Sequence, residues 1–198
     1  SSGGSVFHLQ APTATDNVYF DANSFSAAGH TVTLDVVGNC LDMNWLSALF
    51  TPTLSGAANS LNIHGSLVLS PFMQQNWTGT WNFAALNAAV NTINTEGQTL
   101  AKVAINATNG SSYQLVNDLK TSTSLELSNG AFATNGKEVS TPAFNVTGSN
   151  YRSLSLGASK IFITDGKWDV QDSTGLVFST GTSEIFLRST GANSNFFG

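Results

Sequence analysis

The densest group of potential metal ligands in the chain is formed by three aspartates, Asp165, Asp169 and Asp172. Calcium needs several oxygen atoms that converge in one loop, and three carboxylates within eight residues supply part of such a set. The helix–loop–helix calcium pattern is absent, because the required alternation of Asp or Asn and the terminal Glu are missing. Asp165 followed by Gly166 also fits a simple turn. The run therefore predicts either a calcium site or a turn, and the turn is the simpler interpretation.

Two tryptophans are candidates for carbohydrate binding. Trp77 precedes the turn residues 78–80, and Trp168 lies within the acidic run. An exposed aromatic ring offers a broad apolar face that stacks on a sugar ring. The turn residues that flank Trp77 and Trp168 allow an exposed ring that stacks on a sugar, but packing within the structure is the favoured interpretation. Trp81 alternates with Phe83, and this period of two places Trp81 in the core.

The other reactive side chains form no recognisable catalytic motif. The single cysteine, Cys40, is expected to be a small buried apolar side chain. The histidines His8, His30 and His64 are too far apart in sequence to suggest metal-ligand spacing. Neither a Gly-x-Ser-x-Gly elbow nor a phosphate-binding loop is present. We therefore predict no catalytic residues and a protein that is not an enzyme.

Composition points to an extracellular protein. Charged residues make up 10% of the 198 residues, and most other polar residues are Ser, Thr, Asn and Gly. The chain carries only seven Lys and Arg and a net charge of −5, so it offers little to neutralise a phosphate backbone, and nucleic-acid binding is not expected. No apolar run is long enough to span a membrane. These features favour a secreted or cell-surface protein.

The elements that position these residues are short strands. A motif in which two apolar residues are separated by one residue of any type recurs on both sides of tight turns. Its clearest copies begin at Leu61, Leu125, Leu154 and Leu176. Stacked architectures are built from such repeats, because one unit cannot bury its apolar face alone. The pattern predicts an all-β fold, a right-handed parallel β-helix of short strands, with an antiparallel β-sandwich as the alternative. We expect one domain over residues 1–198, an excerpt of a longer surface protein.

Several segments resemble a known group of proteins. They are residues 12–25, 31–35, 39–45, 61–70 (Leu-x-Ile-x-Gly-Ser-Leu-x-Leu-Ser), 78–83 (Thr-Gly-Thr-Trp-x-Phe) and 127–137. Together they resemble modules of large secreted Bacteroidota proteins, and they are similar to gliding and adhesion proteins exported by the type IX secretion system. The resemblance implies the secretion machinery as a partner, attachment to the cell surface through a separate C-terminal sorting domain, and no catalytic residues.

Residues and resemblance together predict a non-catalytic extracellular module of a bacterial surface adhesin or gliding-type protein. Its ligand would be a cell-surface molecule or a polysaccharide. The alternative is a polysaccharide-binding or polysaccharide-cleaving β-domain. Strand order separates a parallel β-helix from an antiparallel sugar-binding sandwich.

Overall fold

The short strands stack in parallel into a β-solenoid of about eight turns. The structure is a computed structural model that describes residues 10–108, 110–170, 172–188 and 195–197. These residues form strands, turns and bends, and none of them forms a helix. The predicted parallel β-helix is confirmed, and the antiparallel sandwich is wrong.

The strands lie on three faces of the solenoid and are numbered here in chain order. The strands are β1 (Val18–Tyr19), β2 (Thr31–Leu34), β3 (Gly38–Cys40), β4 (Met43–Asn44), β5 (Thr53–Gly56), β6 (Ser60–Ile63), β7 (Leu67–Val68), β8 (Gln74–Gln75), β9 (Thr80–Phe83), β10 (Val90–Asn94), β11 (Thr99–Asn106), β12 (Ser112–Leu115), β13 (Leu119–Ala133), β14 (Val139–Thr141), β15 (Phe144–Val146), β16 (Arg152–Ser155), β17 (Lys160–Ile163), β18 (Lys167–Asp169), β19 (Leu176–Ser179), β20 (Glu184–Leu187) and β21 (Asn195–Phe197).

Each turn of the solenoid visits the three faces in the same order. Face 1 contains β1, β4, β7, β10, β12, the end of β13, β16 and β19. Face 2 contains β2, β5 and β8 and then, as a separate ladder, the starts of β11 and β13 followed by β14, β17 and β20. Face 3 contains β3, β6, β9, the remainder of β11, the middle of β13, β15, β18 and β21.

Alternate side chains of each strand point inward and stack from turn to turn. On face 3 one column passes through Leu61, Trp81, Val103, Leu125 and Phe144, all of which are buried. Burying such a side chain contributes roughly 1.5–3 kcal/mol relative to leaving it in water. The core is therefore one continuous apolar column, and the turns depend on their neighbours for burial.

Close stacking places strict demands on one corner. Gly130 lies between the face 3 and face 1 parts of β13 and has a φ of 80°. A Cβ at this position would lie 2.7 Å from both the Cβ and the carbonyl oxygen of Ala107 in the preceding turn. Both the left-handed backbone and the short approach favour glycine here.

Candidate functional site

The two tryptophans that are candidates for carbohydrate binding are buried. Trp77 keeps 2% of its surface exposed and Trp168 keeps 1%. The Trp77 indole nitrogen donates a hydrogen bond of 2.8 Å to the carbonyl oxygen of Ala57, and its ring packs edge-on against Trp81. Trp168 packs edge-on against Phe144 in the core, with 5.0 Å between ring centroids. Both rings point into the solenoid, which agrees with the packing interpretation, and in these positions they cannot stack on a sugar.

The three aspartates of the acidic run lie in separate environments. Asp165 is exposed in the bend between β17 and β18, and the Asp169 carboxylate lies 2.5 Å from the Lys167 ammonium. The Asp172 carboxylate lies 3.7 Å from the Arg152 guanidinium. Within the described part of the chain, no three His, Cys, Asp or Glu side chains are grouped closely enough to hold a metal ion. The structure thus does not bring Asp165, Asp169 and Asp172 together in one group, and a calcium site formed by them stays a prediction.

The remaining reactive side chains are engaged locally. Cys40 is fully buried, as predicted, and burial raises the pKa of its thiol to about 12. One ring nitrogen of His64 lies 2.7 Å from the carbonyl oxygen of Ala84, and His30 lies beside the aromatic residues of the first turn. His8 lies outside the described residues.

A large open cavity of about 1320 Å³ lies at the N-terminal end of the described solenoid. Phe20 lines it and stacks on Trp45, with 3.7 Å between ring centroids. Asp16 at its rim accepts hydrogen bonds from the hydroxyl (2.6 Å) and the backbone N–H (2.8 Å) of Thr13, which lower the pKa of this exposed carboxyl. Asp21 accepts hydrogen bonds within its own turn. Both carboxylates thus close local turns of the first rung.

The corner between faces 1 and 2 carries the most distinctive surface. In the first three turns this corner is formed by residues 20–30, 45–52 and 69–73, whereas the fourth turn needs only residues 95–98. The loops therefore become shorter over the first four turns, and the second and third lie side by side. Loops on a rigid β scaffold are common positions for binding residues.

Four large apolar side chains in these two loops face solvent. Leu46 and Leu49 are each 52% exposed, Phe50 is 46% exposed and Phe72 is 67% exposed. Together with Ala48 and the hydroxyl-bearing residues Ser47 and Thr51 they line a groove of about 370 Å³. We call Leu46, Leu49, Phe50 and Phe72 the apolar corner.

Hydrogen bonds fix the backbone beneath the apolar corner. The Leu46 N–H donates to the side-chain oxygen of Asn44 at 2.9 Å, and the Phe72 N–H donates to the Ser70 hydroxyl at 3.2 Å. From the next turn, the Gln98 amide donates to the carbonyl oxygens of Ser70, Pro71 and Met73 at 3.0, 3.3 and 3.0 Å. Because the loops are anchored at several points, the apolar side chains are presented on a defined surface.

Phe50 has a left-handed backbone conformation with a φ of 65°. For a residue with a Cβ this region costs roughly 1–2 kcal/mol, and bulky residues seldom occupy it. Pro52, which is buried, follows two residues later, and its carbonyl oxygen accepts a hydrogen bond of 2.9 Å from the Gln74 N–H. The surrounding loop thus holds Phe50 in a strained conformation with its ring half exposed.

The two loops of the apolar corner belong to a long stretch of chain without acidic or basic side chains, whereas the corner loops of the first and fourth turns carry Asp21 and Glu96. No Asp, Glu, Lys or Arg occurs between Asp42 and Glu96. From its sequence alone, the segment from residue 41 to residue 50 fits a strand followed by a short helical turn through Leu46, Leu49 and Phe50. The structure has only β4 there, followed by the loop that carries three of the four apolar residues. Sequence reasoning therefore missed the apolar corner.

Comparison with known proteins finds no match for this chain. The chain matches no protein-family profile, no curated protein and no solved structure. In the described ranges no helix is long and apolar enough to cross a membrane. The fold places the chain in the class of parallel β-helices, and the loops of its second and third turns carry the candidate binding surface.

Proposed function

We propose that this chain is a non-catalytic extracellular binding module of a bacterial surface adhesin or gliding-type protein. The β-helix acts as a rigid support, and the apolar corner contacts a partner on another surface. The observation that carries this proposal is the exposure of Leu46, Leu49, Phe50 and Phe72 side by side on anchored loops. Grouped apolar surface of this kind is a common mark of an interaction site.

The partial burial and the backbone conformation of Phe50 support a contact between this residue and another molecule. A half-exposed ring gains only part of the stabilisation that full burial supplies. Phe50 nevertheless occupies a backbone region that costs free energy. The strain is therefore poorly offset by packing within the chain, which is consistent with a contact made to another molecule.

Composition and resemblance support the extracellular part of the proposal. The low charge content and the Ser, Thr, Asn and Gly richness are typical of secreted β proteins. The resemblance to Bacteroidota surface proteins suggests export by the type IX secretion system to the outer surface. A polysaccharide-binding or polysaccharide-cleaving domain is the weaker proposal, because Trp77 and Trp168, its candidate sugar contacts, are buried.

The test uses the complete surface protein, displayed on the cells that produce it. Leu49→Ser and Phe72→Ser replace two exposed apolar side chains of the apolar corner. Val90→Ser and Tyr151→Ser are matched controls, since Val90 is 66% and Tyr151 is 57% exposed on other parts of the solenoid. Cell adhesion is measured alongside antibody labelling of the protein on intact cells.

We expect the two corner variants to reduce adhesion together by at least tenfold and the two controls to leave it unchanged, with equal surface labelling throughout. Adhesion that survives both corner substitutions would refute the role of the apolar corner. Labelling that requires cell lysis would refute the extracellular location.

A further inference from the structure

We propose that the side-chain amide of Gln75 binds an ordered water molecule inside the solenoid, at the point where the ladder of face 2 is interrupted. The site lies in the interior of the third turn and uses none of the four side chains of the apolar corner. The water site is therefore independent of the proposed function, and loss of one would leave the other standing.

Buried polar atoms without a partner are concentrated in two neighbouring turns. Among the described residues, five buried side-chain nitrogen or oxygen atoms have no hydrogen-bond partner, and four of them lie in the second and third turns. These four are the indole nitrogens of Trp45 and Trp81 and both amide atoms of Gln75. Buried polar atoms of folded proteins almost always bond to the protein or to ordered water. The interior of these two turns therefore needs polar partners beyond those that the chain supplies.

The amide of Gln75 points into the core. Val32, Leu54 and Gln75 occupy equivalent positions in β2, β5 and β8, so their side chains point to the same side of face 2. Leu54 is buried, which identifies this side as the interior. Gln75 as a residue is half-buried, but both of its amide atoms are buried. A glutamine amide both donates and accepts hydrogen bonds, so its partner must be able to do the same.

The ladder of face 2 is interrupted directly beside this amide. β8 pairs with β5 of the second turn, and no described strand of the fourth turn pairs with it. The N–H groups of Gln74 and Asn76 donate to the carbonyl oxygens of Pro52 and Leu54 in the second turn, so the backbone N–H and C=O of Gln75 face the fourth turn. Buried waters typically make about three hydrogen bonds. One water at the interruption can therefore bond both the amide and the backbone of Gln75.

The charge-free sequence favours water over an ion. The chain from residue 43 to residue 95, which contains the second and third turns, carries no Asp, Glu, Lys or Arg. A buried ion without a counter-charge is costly, whereas a neutral molecule that donates and accepts hydrogen bonds is not. Water is such a molecule, and it is the smallest one available to a closed interior.

A crystal structure of the 198-residue chain, at a resolution that shows ordered water, tests the site directly. We expect a water within about 3.2 Å of an amide atom of Gln75. An amide that bonds only to protein groups, or that has no water within this distance, would overturn the proposal. Crystals soaked in bromide and in rubidium test for an ion, and an anomalous peak beside Gln75 would overturn it as well.

Magnetic relaxation dispersion of isotope-labelled water counts the long-lived internal waters in solution. Gln75→Met keeps the length of the side chain and removes the amide, so the count should fall by at least one. Gln114→Met is the matched control, because Gln114 is a half-buried residue that alternates with the inward Tyr113 and Leu115 and points outward on face 1. It should leave the count unchanged. An unchanged count in Gln75→Met, or an equal fall in both variants, would contradict a water held by Gln75. The crystal structure uses the original chain, so its result does not depend on whether either variant folds.

Discussion

Replacing Arg152 with Met tests how the last described turns are held together. Arg152 points inward on face 1, its side chain is fully buried, and its neighbours in the adjacent rungs are Gly130 and Leu176. Its guanidinium donates hydrogen bonds to the carbonyl oxygens of Asn150, at 3.2 Å, and Asp172, at 3.1 Å. A third bond reaches the carbonyl oxygen of Thr174.

The magnitude follows from these three bonds. A hydrogen bond to a charged group contributes roughly 1.5–3 kcal/mol, so three bonds give a gross stabilisation of about 4.5–9 kcal/mol. Burying the guanidinium costs several kcal/mol, and its second terminal nitrogen is buried without a hydrogen-bond partner. Thr174 is exposed, so water can reach its carbonyl group when the arginine is absent. We therefore expect Arg152→Met to lower the free energy of unfolding by about 2–4 kcal/mol.

Urea unfolding followed by circular dichroism gives the stability change, and amide hydrogen exchange locates it. Exchange should accelerate in β16 and β19, because a stacked fold loses stability first where neighbouring turns are weakened. Asp172→Asn is the matched control. The Asp172 carboxylate lies 3.7 Å from the guanidinium and is 41% exposed, so its loss should cost less than about 1 kcal/mol. A control that is as unstable as Arg152→Met would show that the ion pair, not the carbonyl bonds, stabilises this region.

Three further predictions concern strain, burial and pH. Phe50→Asn should change the free energy of unfolding, measured with urea, by less than about 1 kcal/mol, because relief of roughly 1–2 kcal/mol of backbone strain offsets the loss of the half-buried ring. Adhesion should still fall, and a large loss of stability would contradict this balance. Trp168→Ala should destabilise the fold by about 3–5 kcal/mol in the same assay, and a change as small as that of an exposed substitution would contradict its burial. The free energy of unfolding should be constant from about pH 6 to pH 8 and fall above about pH 9 by up to about 1.4 kcal/mol per pH unit. The reason is that burial raises the pKa of the Cys40 thiol to about 12 in the folded state, so the unfolded chain loses the thiol proton at a lower pH than the folded chain. Urea unfolding at pH 8 and pH 10 should show this fall, and Cys40→Ala should reduce it; the raised pKa of Tyr113 acts in the same direction.

The repeat predicted the fold class but not the position of each copy. The copies at Leu61 and Leu125 begin on face 3, whereas those at Leu154 and Leu176 begin on face 1. Even the last two copies are out of step, because Leu154 pairs with Phe178 and Leu176 pairs with Arg152. Every face needs the same apolar alternation, and loops of different length join the faces. The sequence pattern therefore indicates that strands stack, whereas the pairing register depends on contacts between turns.

Flanking turn residues are also a poor guide to the exposure of Trp77 and Trp168. Trp168 is the middle residue of the three-residue strand β18, and Trp77 lies between β8 and β9. Strands this short are flanked by turn residues even when their central side chain fills the core. A neighbouring Gly, Ser or Thr thus says little about whether a tryptophan is exposed, because the side-chain direction alternates at every residue of a strand. Trp81 was predicted correctly because Phe83 supplied a second point in the alternation.

The apolar corner shows where the reasoning from sequence has to change. Leu46, Leu49 and Phe50 have the spacing of a buried helical turn, and apolar residues are usually counted as core. In this solenoid the core is already filled by inward side chains of the strands and by Trp45, which directly follows β4 and is fully buried. The two corner loops already contribute Trp45, Ala48, Leu69 and Met73 to this core, and their other large apolar side chains are left facing solvent. Their exposure is a consequence of the stacked fold, and the left-handed Phe50 concentrates this exposed surface beside Phe72. A contact outside the chain is then the remaining way for these side chains to leave water.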